Sequence, residues 1–138
     1  MCWLPMCFSH LALAHAELGR YEEARGYVRE AIADIEVRHE RWYEAEVFRI
    51  AGDLCLVSKG GDLGEAEGLY DRALEVARQQ QAKSWELRAS MSLARLWRDQ
   101  GRVREARELL APVYGWFTEG FDTLDLKEAQ ALFDELAA

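Results

Sequence analysis

Three short stretches of nearly the same sequence decide the fold: GRYEEA at residues 19–24, GDLGEA at 61–66 and GRVREA at 101–106. Their starts lie 42 and 40 residues apart, and a further small residue follows each final alanine at a spacing of seven. Such a fixed register indicates a repeat, and about 40 residues hold two helices of four or five turns with their connections. The repeated unit is therefore predicted to be a helical hairpin. The aligned positions are Gly19, Gly61 and Gly101, then Ala24, Ala66 and Ala106, then Ala31, Ala73 and Val113.

The repeated glycines are predicted to end helices, and the repeated alanines are predicted to lie where helices pack closely. Each glycine lies between two strongly helical stretches, where a residue that tolerates positive φ ends one helix and lets the chain reverse. Each alanine lies one turn into the second helix, where a small side chain lets the two helix axes approach closely. The pattern thus predicts glycine corners and small contact residues in every hairpin.

Helical spacing predicts an all-α fold in one domain over residues 1–138, an α-solenoid of three hairpins and a C-terminal capping helix. The hairpins are expected near 6–37, 41–80 and 84–117, and the cap near 123–137. The individual helices are predicted at 6–18, 21–37, 41–58, 63–80, 84–99, 103–117 and 123–137.

The predicted capping helix is amphipathic, as the last helix of a stack must be. Asp122 or Thr123 is expected to be its N-cap. Its apolar side is predicted to be Leu124, Leu132, Phe133 and Leu136, and its polar side Asp125, Lys127, Glu128 and Asp134.

Composition excludes several classes of function. The formal charge of −8 disfavours a nucleic-acid partner, because a phosphate backbone would be repelled. No apolar run approaches the ~20 residues that span a bilayer, and the start MCWLPMCF lacks the basic region of a signal peptide. Cys2, Cys7 and Cys55 show no CxxC spacing, which favours a reducing compartment. The protein is therefore expected to be cytoplasmic, with no membrane partner.

No catalytic motif is present. The nucleotide-binding pattern GxxxxGK[ST] and the hydrolase pattern GxSxG are absent, and KGGDLGEA at 59–66 is typical of a turn. His10 and His15 are five residues apart, so they would not face one metal ion on a helix. The sequence therefore predicts no enzyme activity, no catalytic residue, no cofactor and no metal site.

Tryptophan is abundant, with five residues, and allows two interpretations. The aromatic side chains could form a stacking surface for bases or sugars. Helical spacing favours core packing instead, because Trp42 shares a predicted face with Val47 and Ile50, and Trp85 with Leu93 and Trp97.

The spacing Gly–x4–Ala–x6–Ala within paired helices resembles the tetratricopeptide repeat, although that repeat is usually about 34 residues long. The longer period is similar to that of the helical arrays of large bacterial regulators. The resemblance implies a non-catalytic module that binds proteins or peptides.

A more detailed resemblance runs from Glu40 to Leu136, above all in QQQAKSWELRASMSLARLW (79–97) and LLAPVYGWFTEGFDTLDLKEA (109–129). These stretches resemble the C-terminal region of bacterial signalling proteins that join a nucleotide-cyclase domain, a regulatory ATPase domain and a helical-repeat tail. The resemblance implies a scaffold or sensor tail. It also implies that Ala138 lies near a natural C-terminus and that Met1 is an internal or trimmed start.

In such repeats the first helix of each hairpin lines the concave side, which places two predicted stripes on one groove. Arginine forks there would bind a carboxylate or an acidic peptide. The alternative is salt bridging within each helix, Arg49 to Asp53 and Arg95 to Asp99. The predicted groove residues are Glu46, Arg49, Asp53, Arg88, Met91, Arg95 and Arg98, with Leu56 on the same stripe.

The first fourteen residues, MCWLPMCFSHLALA, are apolar and have no preceding repeat to cover them. Upstream domains, a second copy of the chain or simple folding onto the first hairpin would each bury this surface. The second possibility predicts a homodimer through the N-terminal hairpin, and a self-associating structural domain is the alternative function. A third possibility, a small enzyme or small-molecule receptor with an aromatic interior, lacks a nucleophile and base to support it.

Overall fold

The computed structural model describes residues 4–39, 41–58 and 61–138, and the described residues form seven α-helices and no strand. Cys2 and Trp3 of the apolar start, and Lys59 of the predicted turn, lie outside these residues. The helices are α1 Leu4–Glu17, α2 Tyr21–Arg38, α3 Glu44–Val57, α4 Leu63–Gln79, α5 Lys83–Asp99, α6 Val103–Trp116 and α7 Leu124–Ala137.

The helices pack in two layers. Consecutive helices pair as α1–α2, α3–α4 and α5–α6, and each even-numbered helix also packs against the odd-numbered helix that follows it. The odd-numbered helices contact one another in sequence, from α1 through α3 and α5 to α7. Each hairpin thus stacks on its neighbours, and the predicted all-α solenoid of three hairpins with a capping helix is confirmed.

The predicted contact alanines lie where the helices of a hairpin meet. Ala24, Ala66 and Ala106 are completely buried, and so are the small residues seven positions later in the first two hairpins. In the third hairpin Ala106 packs in one apolar cluster with Leu110 and with residues of α5 and α7. Small side chains at this level let neighbouring helices approach, as the repeat predicted.

The helix ends confirm the predicted glycine corners in two of three hairpins. Gly19 and Gly101 have φ of +76° and +80°, and the amide of the next residue reaches back to the helix, Arg20 to the His15 carbonyl and Arg102 to that of Trp97, each at 2.8 Å. This bond pattern closes a helix that ends in a left-handed residue.

Gly61 corrects the prediction. It is not among the residues with positive φ, but a Cβ placed on it would lie 1.7 Å from the carbonyl oxygen of Cys55. Glycine is needed there because the backbone leaving α3 passes too close for any side chain. The corner between α4 and α5 has a left-handed residue, Gln81, with φ of +54°. No glycine lies at this position, so the sequence gives no signal for it.

The capping helix is confirmed in outline and corrected in detail. Thr123 is its N-cap and accepts a hydrogen bond from the Leu126 amide at 3.5 Å. Leu124, predicted to be buried, is 70% exposed, because it lies on the first turn and faces away from α5 and α6. Leu126 and Ala129 are buried beside Leu132 and Leu136.

Candidate functional site

The six charged residues among those predicted for the groove lie along the facing sides of α3, α5 and α7. This charged face comprises Glu46, Arg49 and Asp53 on α3, Arg88, Arg95 and Arg98 on α5, and Asp125, Glu128 and Glu135 on α7. The stripes of α3 and α5 are joined directly, because Arg88 Nη1 lies 3.2 Å from Glu46 Oε2 and Arg49 Nη1 donates to Ser92 Oγ at 3.4 Å. The spacing along each helix predicted the two stripes, and the resemblance to helical repeats predicted that they share one groove.

The α3 part of the charged face is a closed ionic cluster. Arg49 is mostly buried, donates through Nε to Glu46 Oε1 at 2.6 Å, and donates through Nη1 to Asp53 Oδ2 at 3.0 Å. Burial alone would lower the pKa of Arg49, but the hydrogen bond and negative charge of Glu46 outweigh it and raise that pKa. The Arg49–Asp53 pair, predicted as the alternative to ligand binding, is therefore confirmed.

Tyr70 anchors this cluster to α4. Its hydroxyl donates to Asp53 Oδ1 at 2.6 Å, and its ring is buried against Gly52. Burial, followed by the charge of Asp53, raises the pKa of Tyr70, so the phenol keeps its proton and remains a donor. Asp53 is thus held between a guanidinium and a phenol.

The arginines of α5 are paired with the capping helix. Arg98 Nη1 lies 3.0 Å from Glu135, Arg95 Nη2 lies 3.6 Å from Glu128, and Arg88 Nε lies 3.7 Å from Asp125. The predicted pair of Arg95 with Asp99 is wrong, since Asp99 pairs with Arg98 at 3.0 Å. Because α7 lies beside α5, its carboxylates supply partners that spacing within α5 could not reveal.

Two of the predicted groove residues are not exposed to a partner. Met91 is only 2% exposed and packs in the core with Leu87 and Leu126, because α7 covers that side of α5. Glu46 is also 2% exposed and acts as the buried anion between Arg49 and Arg88. The exposed part of the charged face therefore carries both signs of charge.

The tryptophans confirm core packing in part. Trp85 packs edge-on against Tyr43, with ring centroids 5.6 Å apart, and Trp97 packs against the apolar clusters on both sides of α5. Trp42 is 38% exposed, because α3 begins at Glu44 rather than at residue 41 and Trp42 is outside its register. Trp116 is also exposed, at the end of α6.

A cleft between α2 and α4, above α3, was not predicted. It has a volume of about 460 Å³, an apolar floor and charged rims. This α2–α4 cleft is lined by Arg25, Val28, Arg29, Ile32, Ala51, Leu54, Cys55, Gly61, Asp62, Glu65 and Leu69. The signal that could have revealed it is a small residue, Cys55, at a position where the next hairpin has tryptophan.

The N-terminal helix has an apolar outer side. Cys7, Leu11 and Ala14 of α1 are exposed, and so is Leu18, directly after the end of α1, with 69% of its surface accessible. The spacings are four, three and four residues. These four residues form one continuous line, the α1 stripe. It lies on the helix whose apolar surface was expected to be buried by upstream domains, by a second copy of the chain or by folding onto the first hairpin.

A family model described as tetratricopeptide repeat matches residues 6–38, which are almost the whole first hairpin. No curated protein matches the sequence. Tetratricopeptide repeats in general bind other proteins and do not catalyse reactions. Among the residues that the structure describes, no helix combines the length and the apolar character needed to cross a bilayer. With its stacked hairpins, the chain is a tetratricopeptide-like α-solenoid.

Proposed function

We propose that this chain is a non-catalytic protein-interaction module that holds a partner segment along the charged face. The observation that carries the proposal is the line of three arginines on α5, each partly exposed and each fixed by a carboxylate on a neighbouring helix. Stacked hairpins hold such a surface rigid, so little conformational entropy is lost when a segment binds.

The proposed partner is a protein or peptide segment rich in carboxylates, and Arg95 is its main contact. Arg95 is 41% exposed, and among the described residues it makes one ion pair, with Glu128 at 3.6 Å. This distance is longer than the 3.0 Å between Arg98 and Glu135. An exposed pair of this kind contributes little stability, so an incoming carboxylate can replace Glu128 at small cost. Arginine then offers a fork that fits a carboxylate.

The proposal places this module as the scaffold or sensor tail of a bacterial signalling protein, with residues 1–138 as one cytoplasmic domain. Its support is the resemblance of residues 79–97 and 109–129 to such tails. Binding to the charged face would change how upstream domains are placed, which is how a rigid tail transmits occupancy.

The test uses a synthetic glutamate-rich peptide and measures binding by fluorescence anisotropy at several salt concentrations. Substitution Arg95→Glu is expected to weaken binding at least about tenfold, because it puts like charges in contact. Arg104→Glu is the matched control, since Arg104 is 90% exposed on α6, away from the charged face. No binding by the unchanged protein, or equal loss in both variants, would reject the assignment of the groove.

A second candidate function, self-association as a structural homodimer, is favoured by the α1 stripe. Two copies could bury their stripes against each other around a twofold axis. Sedimentation over a concentration series measures this. The double variant Leu11→Glu with Leu18→Glu should be monomeric where the unchanged protein dimerises, and Val103→Glu, at the exposed start of α6, should have no effect. A monomer at all concentrations would exclude this candidate.

A further inference from the structure

The repeat register allows the two junctions between hairpins to be compared residue by residue. The first junction lies between α2 and α4 above α3, and the second lies between α4 and α6 above α5. Counting from the buried alanines Ala24 and Ala66, Arg25 of α2 corresponds to Glu67 of α4. The residue after each glycine corner gives a second equivalence, Asp62 with Arg102.

The third equivalence is between Cys55 and Trp97. Gly52 of α3 faces Tyr70, four residues after Ala66, and Ala94 of α5 shares a cluster with the corresponding Leu110. Cys55 and Trp97 each lie three residues further along. A thiol in the first junction therefore takes the place of an indole in the second.

The second junction is filled and locked by Trp97. Its Nε1 donates to Glu67 Oε1 at 3.0 Å, and the guanidinium carbon of Arg102 lies 4.7 Å from its ring centroid. Arg102 Nη1 also lies 3.3 Å from both carboxylate oxygens of Glu67. The indole thus lies between the helices while a cation and an anion from opposite sides close over it.

The first junction has the same components with the charges reversed, and it is open. Arg25 pairs with Glu22 of its own helix at 3.2 Å, and Asp62 caps α4 by accepting from the Gly64 amide at 2.8 Å. No ion pair joins Arg25 or Arg29 to Asp62 or Glu65 in the described part of the chain. The α2–α4 cleft, about 460 Å³, remains where the indole would be.

The lining of the cleft defines what would fill it. Its floor is apolar, with Val28, Leu54 and Leu69 among its residues, and its volume is within the range of small-molecule sites, roughly 300–1,000 Å³. Arg25 and Arg29 are one turn apart on the α2 wall, where they can bind one anion together. The carboxylate of Glu65, on the α4 wall, can accept a hydrogen bond from a donor group of a bound molecule.

Cys55 keeps the floor neutral. Burial raises the pKa of its thiol, and the nearby carboxylate of Glu65 raises it further, while Arg25 opposes both. The thiol therefore stays protonated near neutral pH, and a flat apolar ring can pack on it without meeting a thiolate.

The geometry points to a binding site for a small heteroaromatic carboxylate in the α2–α4 cleft. Its ring would occupy the place that Trp97 occupies in the second junction, its carboxylate would bind Arg25 and Arg29, and its ring N–H would donate to Glu65. This site is distinct from the charged face, so its existence does not depend on the proposed protein partner.

Titration calorimetry with indole-3-acetate tests this site. One equivalent is expected to bind with a dissociation constant below about 1 mM, and indole, which lacks the carboxylate, is expected to bind at least about tenfold more weakly. Equal affinity for indole would show that the arginines do not take part, and no heat with either compound at millimolar concentration would overturn the site.

The substitution Cys55→Trp supplies the missing indole from the chain itself. It is expected to abolish binding of indole-3-acetate and to leave the helical circular dichroism unchanged, and undiminished binding would overturn the site. Should the variant not fold, the double variant Arg25→Ala with Arg29→Ala answers the same question, with an expected loss of at least about tenfold. Arg104→Ala with Arg107→Ala, exposed on α6, is the matched control and should bind normally; a loss of the same size there would also overturn the site.

Discussion

The two end helices of the solenoid, α1 and α7, differ in what they present to solvent. Helix α7 buries four apolar residues and exposes Lys127 and Glu128. Helix α1 has one residue among Asp, Glu, Lys and Arg, Glu17, and exposes the apolar α1 stripe. Both helices lie in the layer of odd-numbered helices, so the layer does not explain why their exposed sides differ.

The contrast shows how a helical stack is completed. Each inner helix buries sides that face both neighbouring hairpins, and an end helix needs a polar outer side instead. Helix α7 has this polar side, whereas the α1 stripe has the composition of a side that packs. The apolar α1 stripe is therefore the surface on which the proposed self-association rests.

The largest difference in the free energy of unfolding is expected between a substitution on the buried side of α7 and one in the α1 stripe. Leu132→Ala should lower the free energy of unfolding by about 2–5 kcal/mol, because it leaves a cavity between α7 and α5. Leu11→Ala, at a residue 42% exposed, should change it by less than about 0.5 kcal/mol. Urea denaturation measures both, and equal losses would contradict the comparison.

An intermediate effect is expected at the start of α7. Thr123→Ala removes the side-chain oxygen that accepts from the Leu126 amide, and it should lower the free energy of unfolding by about 1 kcal/mol. Thr118→Ala, in the exposed connection before α7, is the control and should be nearly neutral. A neutral Thr123→Ala would mean that packing alone holds α7 in place.

The smallest effect is expected at the ion pair that joins the outer side of α7 to α5. Glu128→Gln should change the free energy of unfolding by less than about 0.5 kcal/mol, since both side chains of the Arg95–Glu128 pair are more than 40% exposed. Thermal unfolding at low and high salt measures this difference. A loss well above this limit would show that α7 is held mainly by charge.

Much of the fold could be predicted because its signals are local and repeated. Buried alanines recur in register in all three hairpins, and left-handed glycines follow α1 and α5. The start of α3 was placed too early because Trp42 fits the helical spacing, although the helix begins at Glu44. Gln81 was missed because no glycine marks its left-handed corner.

The candidate sites could be predicted only where their contacts lie within one helix. The Arg49–Asp53 pair follows from a spacing of four residues. The pairing of Arg88 with Glu46 and Asp125 depends on how three helices lie side by side, which no spacing encodes. The burial of Met91 was missed for the same reason, because α7 is the helix that covers it.

The contact of Gly52 with Tyr70 limits how far the hairpins are interchangeable. A Cβ at position 52 would lie 2.5 Å from Tyr70 Cε1, while the third hairpin has Ala94 at the equivalent position, with Leu110 in the same cluster. The glycine of the second hairpin therefore leaves room for the ring of Tyr70, and the alanine of the third hairpin leaves room for the smaller side chain of Leu110. A chimera that transplants a single helix would create either a clash or a void, so the portable unit for engineering this array is the whole hairpin.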